Sequence, residues 1–172
     1  MVTATKDKRQ LYREQGWWGD TTLADMFRAN AGIHPERLAL VDPPNRADFA
    51  FGQPQRLTYA QMLAETERLA GALLANGIGK GDVIMVQLPN ISEFVNLYFA
   101  AATIGAVVSP AAVQYRSHEL SEMYRIAKPS AFVCATRFKG GDHLSTARKV
   151  IGAGCRIMTF GPDAPDDTVD LS

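Results

Sequence analysis

Cysteine is scarce in this 172-residue chain, and the two present, Cys134 and Cys155, form no C-x-x-C pair. A disulfide-dense scaffold and a four-cysteine zinc site are thereby excluded, and each cysteine sits in an apolar run where a free thiol behaves as a small hydrophobe. Histidine is nearly as rare. His34, His118 and His143 have no Cys, His or paired carboxylates at ligand spacing, so the sequence offers neither a metal site nor a triad, and surface or capping positions are expected for all three. An excess of one charge is also lacking: eighteen basic and eighteen acidic residues give a formal net charge of +0, which leaves no global field for nucleic acid or anionic lipid. The N-terminal stretch Met1 to Gln15 is polar, without the apolar core of a signal peptide. Phe94 to Val113 carries no charge, yet Asn96, Thr103, Gly105, Ser109 and Pro110 interrupt it, so no membrane span is expected; for the two free cysteines a reducing cytoplasm is the simplest setting. Neither G-x-G-x-x-G nor a Walker A motif occurs.

What is present is enough apolar material for one domain core, 47% hydrophobic against 21% charged residues. Thr21 or Thr22 caps a short helix carrying Leu23, Met26 and Phe27 and ending near Gly32, and Leu38 to Val41 follows as a strand. Asp42 to Gln55, with three prolines and a glycine, reads as an exposed loop. Thr58 and Gln61 have capping-box spacing, Met62, Leu69 and Leu73 follow the helical period, and Gly77 is the stop. Val83 to Leu88 is apolar on both faces and predicts a strand interior to a sheet. Ser92 is expected to cap a helix that ends at Gly105, with a strand over Ala106 to Ser109. Helix and strand then alternate again: Ser117 to Lys128, Ala131 to Ala135, Asp142 to Ile151, Cys155 to Phe160. The order predicts an α/β fold, a mainly parallel sheet with helices on both faces. After Gly161-Pro162, four aspartates without a balancing base mark an acidic loop or linker over residues 162–172.

Leu57-Thr58-Tyr59, Leu69-Ala70, Gly77, Gly81-Asp82-Val83, Leu88-Pro89-Asn90, Glu93-Phe94, Gly105-Ala106 and Pro110 stand in an order and spacing that resembles the N-terminal segment of the AMP-forming acyl-CoA synthetase/ligase family. Gly16-Trp17-Trp18 before Thr22-Leu23-Ala24-Asp25, Tyr115-Arg116-Ser117 before Glu119-Leu120, and Arg137-Phe138-Lys139-Gly140 extend the likeness from Gln15 to Phe160. These flanks look most like ligases for medium-chain or cyclohexanecarboxylate-type acids, and next like aryl-acid adenylating enzymes. The resemblance implies a domain plan: residues 1–20 an N-terminal extension, 21–161 an incomplete α/β subdomain of the AMP-binding large domain, 162–172 the linker. It implies a ligase that activates a carboxylic acid as acyl-AMP and passes it to coenzyme A, with ATP, Mg2+ and coenzyme A as the cofactors of the full-length parent. The family's Ser/Thr/Gly-rich phosphate loop followed by Lys-Gly has no counterpart in residues 1–172, nor do its adenine, ribose and lysine motifs. No catalytic, cofactor-binding or metal residue is therefore expected here. The segment alone is expected to be inactive, to bind no cofactor, and to self-associate through exposed core surface.

Within the chain, Arg137 to His143 follows a predicted strand and opens a helix, the order in which backbone N–H groups cradle a phosphate; the family resemblance implies that this region lies toward the coenzyme A side, where Lys139 would help hold a nucleotide phosphate, and a solvated turn is the plainer reading. Gly152 and Gly154 follow a helix and precede a strand, the reverse order, and read as turn residues. Ser92 and Ser117 read as caps. Trp17-Trp18 is expected to pack on the domain body. Two other functions stay open: a carrier-loading aryl-acid adenylating enzyme, and a non-catalytic α/β binding module.

Overall fold

The computed structural model describes residues 4–139 and 141–172. Local signals build its elements. Thr22 caps α2 (Leu23–Ile33) in a full capping box with Asp25, and Thr58 does the same with Gln61 for α3 (Tyr59–Ala75). Gly77 at φ 78° and Gly105 at φ 75° take the left-handed conformation that ends α3 and α4 (Ser92–Ile104). α1 (Lys6–Glu14) buries none of its side chains, which is why no apolar period announced it.

β1 (Leu38–Val41) and β2 (Arg56–Thr58) form a small antiparallel pair that brackets the loop at 42–55. The main sheet is parallel, in the order β4-β3-β5-β6-β7, where β3 is Val83–Gln87, β4 Val107–Pro110, β5 Ala131–Ala135, β6 Arg156–Phe160 and β7 Val169–Asp170. The acidic tail is thus not all loop: Val169–Asp170 pairs with β6 and Leu171 is fully buried.

Both faces are covered, as the doubly apolar strands require. Ile84 and Val86 of β3 with Ala131, Val133 and Ala135 of β5 face α3 and α4 through Leu69, Leu73, Leu97 and Ala101. The alternate residues Met85, Phe132 and Cys134 face α5 (Ser117–Ala127) and α6 (His143–Val150) through Leu120, Leu144 and Ala147. The strand period of two thus sends the same five-residue segments to two cores. α2 lies against the outer side of α3 and α4, its Phe27 ring 4.4 Å from that of Phe99.

The chain leaves β3 for β4 on one side, then crosses to β5 on the other. β3 and β5 therefore flank the point where successive connections diverge, and loops at their carboxyl ends part to leave a crevice. Among the described residues no helix is long and apolar enough to cross a membrane.

Candidate functional site

That crevice has a volume of about 590 Å3. Leu88, Pro89 and Asn90 come from the end of β3, Pro110 to Gln114 from the end of β4, Phe138 and Lys139 from the loop after β5, and Asn45 and Phe49 close it from the 42–55 loop. Lys139 sits at φ 45°, its N–H donating to the Phe49 carbonyl at 3.1 Å and its ammonium 6.0 Å from the Phe138 ring. It pairs with no carboxylate among the described residues. The sequence-derived placement of Lys139 at the strand-to-helix turn is kept, while Gly140 of the same motif lies outside the described residues.

Ala112, Val113 and Gln114 of the lining belong to the turn Ala112–Tyr115, closed by the Tyr115 N–H on the Ala112 carbonyl at 3.0 Å. Buried Gln87 donates to the Ala112 and Tyr115 carbonyls and buried His143 to that of Val113, while exposed Arg116 donates from Nη1 to the Val113 and Tyr115 carbonyls. The N–H groups of Val113 and Gln114 have no acceptor among the described residues. A lone cation and backbone donors without an acceptor lining one crevice suit a phosphate or another anion.

The 42–55 loop is held over the crevice by a buried charge cluster that the sequence reading missed. Arg46 is 1% exposed; its Nη1 donates to Asp42 Oδ2 and its Nη2 to Glu93 Oε1, each at 2.5 Å, and its Nε donates to the Phe51 carbonyl at 2.9 Å. Burial pushes the Asp42 carboxyl up, but hydrogen bonds from Arg46 and from the N–H groups of Gln55 and Ser92, with the Arg46 charge, hold it below the usual carboxylate value. The loop expected to be wholly exposed is anchored by a residue as buried as the core. The only sequence signal was a spacing of four between Asp42 and Arg46 in a proline-rich stretch.

Other expectations are corrected. Ser92 is the first residue of α4, not its cap; its Oγ accepts from Arg46 Nη1 at 3.1 Å and can donate to Asp42 or Glu93, each at 3.2 Å. Ser117 likewise follows the cap position, which Arg116 occupies. His143 is buried, not at the surface, whereas His34 and His118 are exposed. Trp17 and Trp18 are 68% and 43% exposed and gather around Tyr12 with ring centroids 5.7 and 5.2 Å away, not on the domain body. Gly152 and Gly154 are turn residues, the Gly152 N–H donating to the Tyr124 hydroxyl.

A larger concavity, about 980 Å3, lies on the α3 and α4 side toward β7. Its cations are already neutralised: Arg46 by Asp42 and Glu93, Arg68 by Glu65 at 2.6 Å. Cys134 and Cys155 take no part in either, burial pushing their thiols up to about 12 and about 11. No group of three or more His, Cys, Asp or Glu side chains that could hold a metal occurs among the described residues.

Comparison with known proteins agrees with this architecture. The family model described as AMP-binding enzyme matches residues 27–168. The chain is 35% identical over 154 residues to pyochelin synthase PchD of Pseudomonas aeruginosa, covering 89% of this chain and 26% of that protein. It is 34% identical over 138 residues to the medium-chain fatty-acid–CoA ligase of Escherichia coli K12, covering 80% of this chain and 23% of the ligase. A solved structure from Rhodopseudomonas palustris, named as a long-chain-fatty-acid CoA ligase, superposes with a TM-score of 0.70 at 30% identity, over 88% of this chain and 35% of its own. The chain spans about a quarter of the length of the curated relatives it matches. A parallel sheet with a crevice at its switch point, matched by one family model over most of its length, places this chain in the family of AMP-binding enzymes.

Proposed function

We propose that this chain is the N-terminal part of an ATP-dependent acid–CoA ligase, which joins a carboxylic acid to AMP and then passes the acyl group to the thiol of coenzyme A. The observation that carries the reading is the crevice between β3 and β5, lined in a chain of this family by Lys139 and by Val113 and Gln114, whose N–H groups have no acceptor among the described residues. A phosphate-bearing thiol fits that donor set. Lys139 would hold a phosphate of the nucleotide end, and the apolar wall of Leu88, Pro89 and Phe138 would exclude water along the thiol arm. Coenzyme A supplies the nucleophile for the second step; the residues here bind and orient it. We propose further that the lysine and phosphate loop needed for the first step are supplied from outside residues 1–172, so that the segment by itself forms no acyl-adenylate.

Carrier-protein loading is the second reading, favoured by pyochelin synthase PchD being as similar to this chain as the medium-chain ligase is. The test is ATP–pyrophosphate exchange on the complete protein with a panel of medium-chain, alicyclic and aryl acids, followed by thioester formation with coenzyme A. Exchange and a coenzyme A thioester are expected. Exchange with no thioester on coenzyme A, but acylation of a phosphopantetheinyl carrier, would move the assignment to the second reading; no exchange with any acid would leave a binding module.

A further inference from the structure

The turn at Ala112–Tyr115 is held with more apparatus than a surface loop needs. Gln87, the last residue of β3 and 1% exposed, donates from Nε2 to both the Ala112 and Tyr115 carbonyls at 3.0 Å. His143, at the start of α6 and 4% exposed, has Nε2 at 3.0 Å from the Val113 carbonyl; since a carbonyl only accepts, Nε2 carries the proton. Two buried side chains from different elements thus take three of the four carbonyls of one turn, and exposed Arg116 adds a second hydrogen bond to two of the three, those of Val113 and Tyr115. Both do so at a cost, for Gln87 Oε1 and His143 Nδ1 are left buried without a partner among the described residues. The imidazole is confined too. The Phe138 ring lies 5.5 Å from it edge to face, and a Cβ on Gly141 would lie 3.3 Å from its Cε1.

Satisfying three carbonyls would be served as well by water at an exposed turn, so their capture from below has a directional result. Held by its carbonyls, the turn is fixed in the wall of the crevice that Lys139 also lines, and the Val113 and Gln114 N–H groups are left without an acceptor among the described residues. We infer that Gln87 and His143 are positioning residues that set the affinity of the crevice for the thiol acceptor by fixing this turn. The inference rests on the crevice being the acceptor site, as proposed above.

The experiment uses the complete protein with coenzyme A as probe, measuring thioester formation in Gln87→Met, His143→Phe, His143→Gln and Lys139→Ala, together with amide hydrogen exchange at Val113 to Tyr115. Loss of one or two hydrogen bonds predicts a coenzyme A KM raised about tenfold in Gln87→Met and His143→Phe, with kcat changed less than about twofold and faster exchange at the turn. His143→Gln, which keeps a donor near the Nε2 position, should return KM to within about threefold of the parent. Unchanged exchange and KM in Gln87→Met would overturn the clamp, and so would equal losses in kcat and in the KM for acid, ATP and coenzyme A, which a purely structural role produces. Should Gln87→Met fail to fold, the two His143 variants carry the same comparison. Failure of the underlying reading looks different: Lys139→Ala then leaves KM for coenzyme A unchanged, whereas a raised KM in Lys139→Ala beside an unaltered one in the Gln87 and His143 variants sinks the clamp alone.

Discussion

Arg46 Nη2 and Glu93 Oε1 meet at 2.5 Å across 47 residues of sequence, tying the proline-rich loop to the first turn of α4. With Asp42 on its other side, the guanidinium is a cation enclosed by two carboxylates. A buried ion cluster of this kind adds little stability over an apolar filling, but removing one partner strands the others. Arg46→Met is expected to lower stability by about 3–5 kcal/mol, read as a fall in denaturation midpoint by chemical unfolding. A loss below about 1 kcal/mol would mean that water enters the cluster and the burial argument fails.

Acid should act through the same cluster. The Asp42 carboxyl is held below its ordinary value of 3.8. A lowered folded-state value means that its contribution is fully present above the unfolded value and is lost as pH falls through the folded one. The stability gap between the parent and Asp42→Asn should therefore be constant from about pH 7 to pH 5 and narrow below about pH 4. A gap that stays constant down to pH 2.5 would contradict the assignment.

Thiol chemistry should be silent in the native state. With Cys134 near 12 and Cys155 near 11, both are protonated at neutral pH, and both are buried. Iodoacetamide at pH 7.5 is expected to label neither in minutes and both after denaturation, as read by intact-mass spectrometry.

Gly161 follows β6 at φ 118°, and a Cβ there would lie 2.4 Å from Thr136 Oγ1 and 3.0 Å from the Phe51 ring. Gly161→Ala should cost at least about 1–3 kcal/mol. Because Thr136 opens the segment leading to Lys139 and Phe51 belongs to the anchored loop, the variant should also loosen amide exchange in both segments, which gives the prediction a spatial signature.

How much of this was legible in the sequence follows from how far each signal reaches. The capping box at Thr58 and Gln61, the glycine stops at 77 and 105 and the alternation of helix and strand are written within a few residues, and the fold class follows from them. Arg46, Ser92 and His143 were misread for the opposite reason. Each answers to partners 30 to 50 positions away in the chain, so local rules could offer only loop, cap and surface. β2 is three residues long and α1 has no buried side chain, and neither leaves a periodic trace. Lys139 was locatable because strand, turn and helix are local, but the crevice around it is assembled by three loops that only the sheet order brings together.

That sheet order also dictates a sequence of events. β3 pairs with β4 across a single intervening helix, Val83 against Val107, whereas its pairing with β5 joins Ile84 to Ala131 and must wait for a longer excursion past the strand already placed. Loop closure favours the shorter connection first. The β3-α4-β4 unit should therefore be the nucleus of folding, formed while the Lys139 wall of the crevice is still unmade, so that the groove is among the last features of this chain to acquire its shape.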